Sequence, residues 1–116
     1  MSLYFDRDGA AIDSPTWSGL FGDIAYKRVD RTTVTDTADP MKTYDVSTVW
    51  LGLDHGFGAG APLIFETMVF GDGSDEMATE RYSTEPQARE GHTAMVVSIC
   101  ATMADPVAMD AIEEIS

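Results

Sequence analysis

The sequence predicts an α+β domain: a mostly antiparallel sheet of four to five strands, packed by a long C-terminal helix and a short N-terminal one. Three observations predict it. The runs VSTVWLGLDH (46–55) and LIFETMVF (63–70) read as strongly apolar strands joined by the glycine-rich stretch GFGAGAP. Residues 84–103 open on Thr84 with Gln87 three places on, a capping box, and continue with Ala88, His92, Met95 and Ile99 at helical spacing. Turn signals punctuate the remainder at short intervals, as an antiparallel meander requires.

In chain order, 3–5 is a short apolar run ended by Asp6-Arg7-Asp8-Gly9, so 10–12 returns as a brief strand. Ser14 is expected to cap a helix with Pro15 at its first position, and Trp17, Leu20 and Phe21 share one apolar face of it. Residues 24–34 mix β-branched and aromatic residues with charges and read as a strand. The polar stretch 35–42, with Pro40, reads as a loop. Residues 43–55 are apolar on both faces, which marks either a central strand covered on both sides or one whose second face meets a partner. After the strand at 63–70 comes an acidic turn, then an edge strand over 77–82. The long helix stops at Asp105-Pro106. Residues 1–104 are thus expected to form one domain and 105–116 an acidic tail with at most a helical turn or two.

Composition narrows the function classes. Twenty acidic against seven basic residues give a net charge of −13 in 116 residues. Such a field repels phosphate backbones and anionic lipid and favours cationic or basic protein surfaces, so direct nucleic-acid binding is not expected. The single cysteine, Cys100, excludes an intramolecular disulfide and a thiolate cluster, and reads as a core residue. No run approaches the ~18 apolar residues of a membrane span. The start, MSLYFDRDG, lacks the basic and apolar regions of a signal peptide, and a cytoplasmic protein is expected.

The motifs VSTVWLGLDH, PLIFETMVF, RYST from Arg81 and the Gly91-His92 pair, with LF at Leu20 and YKRV at Tyr26 upstream, resemble a family of small proteins encoded by tailed bacteriophages and prophages. The resemblance covers residues 3–103, leaving out 35–42 and the segment after 104. It implies expression in the cytoplasm of an infected bacterium, and it supplies no catalytic role to carry over.

Candidate chemistry is sparse. GFGAGAP has no lysine and precedes a strand, so it lacks both the P-loop and the dinucleotide fingerprint and reads as a wide hairpin loop. His55, Glu66 and His92 are weak catalytic candidates, usable as an acid/base pair if His92 lies across the strand that carries Glu66. The structural alternative has Glu66 satisfying a nearby cation, Asp54 or His55 fixing loop amides, and His92 hydrogen-bonded within the core. No metal site and no cofactor are expected, because two histidines would need several carboxylates beside them.

Two surfaces are candidate contacts. One is aromatic: Trp50 and Phe57, with Phe70, placed on the sheet face away from the long helix and covered either by the N-terminal helix or by a second subunit, which makes a homodimer. The other is acidic: Asp72, Asp75, Glu76 and Glu80, extended by Glu85 and Glu90, read either as solubilising charge or as a mimic of nucleic-acid phosphates. The leading expectation is a non-enzymatic module that binds a host or phage protein. A small hydrolase or metal-dependent enzyme and a DNA-mimic inhibitor of a host nuclease or defence factor stand as alternatives.

Overall fold

The computed structural model of the chain describes residues 3–54, 60–71 and 76–110, with the side chains of Glu76 and Met77 left out. The α+β expectation holds. After the two-residue strands β1 (Tyr4–Phe5) and β2 (Ala11–Ile12) come two helices, α1 (Ser14–Phe21) and α2 (Ile24–Lys27). A meander follows: β3 (Arg28–Asp36), β4 (Asp39–Trp50), β5 (Phe65–Phe70) and β6 (Glu76–Tyr82). Helix α3 (Glu85–Cys100) then leads to β7 (Pro106–Asp110). The main sheet is antiparallel throughout, in the order β6-β5-β4-β3-β7, so α3 carries the chain from one edge of the sheet to the other.

Local chemistry explains the elements. In the β1–β2 turn Asp6 Oδ1 accepts the amides of Asp8 and Ala10, and Gly9 takes a φ of 86°. At α1 the cap is Asp13 and not Ser14. The Asp13 carboxylate reaches the Thr16 amide at 2.9 Å, which places Ser14 and Pro15 inside the first turn. Helix α3 is capped as expected, with the Thr84 hydroxyl on the Gln87 amide and the Gln87 side chain on the Thr84 amide.

Four expectations about element boundaries are corrected. Residues 24–27 form a helical turn, capped by the Asp23 carboxylate on the Tyr26 amide, because this turn sets the Tyr26 ring edge-on to Trp50 at 4.9 Å. Most of the expected loop 35–42 is strand, since the chain reverses within Thr37–Ala38 beside the buried carboxylate of Asp36. That carboxylate accepts the amides of Ala38, Ala104 and Asp105, and these bonds outweigh the effect of burial and hold its pKa below the ordinary value. The long helix ends at Cys100, three residues early. Residues 106–110, expected in an acidic tail, form the edge strand β7. Pro106 sits at its first position, where the missing N–H is tolerated.

Both core clusters lie between α3 and one face of the sheet. Val29, Trp50, Ile64, Phe65 and Ala88 form the first, which Trp17, Leu20, Phe21 and Tyr26 close over. Val34, Val46, Val69 and Met103 form the second. The strand bulges where Val29 and Asp30 together oppose Thr48, so both of these side chains face the helix. Trp50 therefore shares the helix face with Val46 and Thr48, and it is fully buried. The structure puts it on the face opposite to the expected one, and there the N-terminal segment covers it, with Phe21 and Tyr26 against its ring. Phe70 pairs with Asp45 and does lie on the far face. Phe57 lies outside the described residues.

Candidate functional site

The most buried polar feature runs across the core. His92, 2% exposed on α3, places Nδ1 2.7 Å from the Thr48 hydroxyl and Nε2 2.8 Å from the Thr32 hydroxyl. Thr32 also donates to Asp110 Oδ1 on β7 at 2.6 Å, and Thr48 meets the Thr67 hydroxyl at 2.5 Å. These contacts fix every proton. Thr32 has one hydrogen and gives it to the acceptor-only carboxylate, so it accepts from Nε2–H. Nδ1 is then bare and accepts from Thr48, whose oxygen accepts from Thr67. The chain of donation runs Thr67, Thr48, His92, Thr32, Asp110, joining β5, β4, α3, β3 and β7.

Its chemistry is conservative. Burial holds the His92 pKa below its ordinary value, against the pull of Asp30 and Asp110 and with the help of Arg89. Asp30 Oδ2 lies 3.8 Å from Nε2. Both ring nitrogens are engaged, so neither is presented to a substrate.

Glu66 stands elsewhere. In register with Val49 and Arg81, it points to the sheet face opposite α3 and accepts from Arg81 Nε at 3.0 Å. His92 and Glu66 are thus separated by the sheet, and the acid/base pairing expected of them does not form. Glu66 instead satisfies a nearby cation. Asp54 fixes a loop amide, accepting from Leu63 N–H at 3.0 Å. His55, Asp72 and Asp75 lie outside the described residues, as does the side chain of Glu76. Among the described residues no group of three or more His, Cys, Asp or Glu side chains is placed to hold a metal ion, and no helix is long and apolar enough to cross a membrane.

The acidic candidates diverge. Glu80 faces the helix side of β6, beside Tyr82 and Gly91. Glu85 lies at the start of α3, clasped by Arg7 Nε at 2.8 Å and Arg89 Nη2 at 2.9 Å. Burial would raise the Glu85 pKa, but the two guanidiniums bring it below the ordinary value. A cleft of about 520 Å³ opens here, lined by Arg7, Ser83, Thr84, Glu85 and Arg89, with its two cations already committed to one carboxylate.

The far face of the sheet was legible only in part. Register places Arg81, Glu66, Val49 and Arg28 in one row and Thr79, Met68, Ser47 and Arg31 in the next. Phe70, Asp45, Thr33 and Met109 form a third row, and Thr43, Thr35 and Val107 a fourth. Val49, Met68 and Phe70 join neither core cluster, and Met109 is 68% exposed. Among the described side chains, three of the seven basic residues of a strongly acidic chain stand on this face with two carboxylates. Alternation within 28–35 and 43–49 carried that signal, but the bulge at Val29 breaks its phase.

Comparison with protein-family models, with curated proteins and with solved structures gives no match.

Proposed function

We propose that the protein is a non-enzymatic, protein-binding accessory factor of a tailed bacteriophage, acting in the cytoplasm of the infected bacterium on a host or phage protein. The observation that supports this reading is the sheet face opposite α3. It is broad, uncovered among the described residues, and relatively basic within a chain of net charge −13. Arg28, Arg31 and Arg81 favour a partner surface with carboxylates. Val49, Met68, Phe70 and Met109 supply apolar area, and Thr33, Thr35 and Ser47 supply hydroxyls.

Catalysis by His55, Glu66 and His92 has less support, since the two described members lie on opposite sides of the sheet. The test is affinity capture from infected-cell lysate with the wild type and with Arg31→Glu/Met109→Glu, whose sites are 45% and 68% exposed and whose circular dichroism should be unchanged. One protein recovered by the wild type and lost with the variant supports the reading. Equal recovery by both baits argues against it. If the partner is a second copy, light scattering gives a dimer mass that the variant halves.

A further inference from the structure

The two edges of the main sheet are built differently. β6 carries Glu80 towards α3 and Arg81 towards the far face, and its pairing with β5 contains a register shift. Charges and irregularities of this kind keep a sheet edge from adding a strand. β7 has neither over its central residues. It pairs with β3 at five consecutive positions without a shift, and every one of its residues is exposed. Its single charge, Asp110, stands at the end and accepts from Thr32. Val107 and Met109, 43% and 68% exposed, follow one another along its far face.

The outward peptide groups of β7 follow from one bond. Thr37 N–H donates to Asp105 C=O at 2.8 Å, in phase with the β3–β7 register. By strand alternation Val107 and Met109 turn their N–H and C=O inward to β3, while Ala108 and Asp110 turn theirs out. Pro106 also faces out, where it leaves no N–H unpaired. Among the described residues no strand pairs with that outer side. Two copies of this edge complement one another. A two-fold axis at Ala108 pairs the Ala108 residues of the two copies through two hydrogen bonds. It also sets the Asp110 N–H of each copy on the Pro106 C=O of the other, through two more. Val107 of each copy then stands opposite Met109 of the other, in the closely spaced kind of pair. The two Asp110 carboxylates end four residues apart, about 14 Å. An axis at Met109 makes as many bonds but sets those carboxylates diagonally at about 7–8 Å.

We propose that the protein pairs with a second copy of itself through the outer edge of β7, antiparallel about Ala108, joining two five-stranded sheets into one of ten strands. The second copy fits this edge on three counts. It brings a donor to Pro106, it covers Val107 and Met109 with the same two residues, and it keeps its acidic groups away from the axis. The far faces of the two copies become one continuous surface, with Arg28 and Arg31 of each on either side of the join. Net charge of −13 on each copy opposes the approach, so the pairing strengthens as salt screens it. This inference goes beyond the reading of the far face as a partner site and does not depend on that partner.

Sedimentation of the full chain, up to about 1 mM and at low and high salt, should show a monomer passing to twice the chain mass. Ala108 is exposed, so Ala108→Asp and Ala108→Lys should leave the circular dichroism unchanged. Each variant alone should dimerise at least about tenfold more weakly, because like charges then face one another across the axis at about 5.5 Å. An equimolar mixture of the two should recover the dimer. In an isotope-labelled sample the Ala108 amide should exchange more slowly as concentration rises, while the Val107 amide, already turned to β3, should not change. Arg31→Glu alone, on the far face one strand in from the edge, should keep the dimer, which separates this edge from far-face binding. A monomer at every concentration and salt, a dimer unweakened in both Ala108 variants, or no recovery on mixing overturns the proposal. So does a dimer that Arg31→Glu abolishes and the Ala108 variants keep, which assigns it to the far face.

Discussion

Acidification from about pH 7.5 to about pH 5 tests the proton assignment in the His92 chain, because it spans the ordinary histidine range around 6.5. The imidazole is neutral, with its hydrogen on Nε2 and with Nδ1 accepting from Thr48. A second proton on Nδ1 would face the Thr48 hydroxyl. Thr48 would then have to turn its hydrogen to Thr67, whose own hydrogen would lose its acceptor. Burial disfavours the imidazolium more than Asp30 and Asp110 favour it, so the folded pKa lies below the unfolded one. The sign follows. As pH falls through about 6.5 the unfolded chain takes the proton first, so the stability His92 contributes is complete above that pH and is lost on going towards the folded pKa. The slope cannot exceed about 1.4 kcal/mol per pH unit for one proton. With an unfolding entropy of about 2.1 cal/mol/K per residue, 116 residues convert that slope to a fall in Tm of about 6 °C per pH unit at most. The carboxylates with lowered pKa, Asp13, Asp36 and Glu85, begin to lose their contributions as pH falls through about 4.5 and below, so they enter only at the acid edge of the window. Thermal melts by circular dichroism at several pH values should show a falling Tm for the wild type and a clearly smaller slope for His92→Gln. A flat wild-type profile, or a slope undiminished in His92→Gln, refutes the assignment.

Three further outcomes follow from packing. A Cβ on Gly91 would stand 2.2 Å from the Tyr82 ring, so Gly91→Ala should cost about 1–3 kcal/mol, and Gly91→Ala/Tyr82→Ala should cost clearly less than the sum of the two single changes in urea melts. Gly52 has a φ of 69° and its added Cβ would lie 2.2 Å from the Trp50 ring, so Gly52→Ala should be more damaging still and should alter the near-ultraviolet circular dichroism of the tryptophans. Thr32→Val leaves the Nε2–H of His92 and the Asp110 carboxylate without their shared hydroxyl. A loss of about 1–3 kcal/mol is expected, with earlier hydrogen exchange in β7 than in β5.

How far the sequence carried is clearest at particular residues. The capping box at Thr84 and Gln87 and the stripe of Ala88, His92, Met95 and Ile99 specify α3 and the face it lays on the sheet, because both are local signals of period 3.6. Asp6 to Gly9 specify their turn for the same reason. Residues 24–27 and 106–110 were misread because their state is set by distant partners: Tyr26 turns to meet Trp50, and β7 exists only because β3 offers it an edge. The face occupied by Trp50 was equally hidden. A strand apolar on both sides carries no phase, and the bulge at Val29–Asp30 moves the register of its neighbour. The site suffered from the same loss. That His92 and Glu66 lie on opposite sides of one sheet follows from parity along β4 and β5, and composition contains no parity.

The route of α3 from one sheet edge to the other has a kinetic consequence during synthesis. The β3–β4 hairpin is complete at Trp50, but its covering helix is complete only at Cys100. A ribosome adding about 5–20 residues per second needs about 3–10 s for those fifty residues. A hairpin closes in about 1–10 μs. The nascent meander therefore waits, through a time enormously longer than its own folding, with Val34 and Val46 bare and Thr48 lacking its imidazole. In that interval the chain is a natural client for a holding chaperone, and its yield in the cell should depend on translation speed between codons 50 and 100.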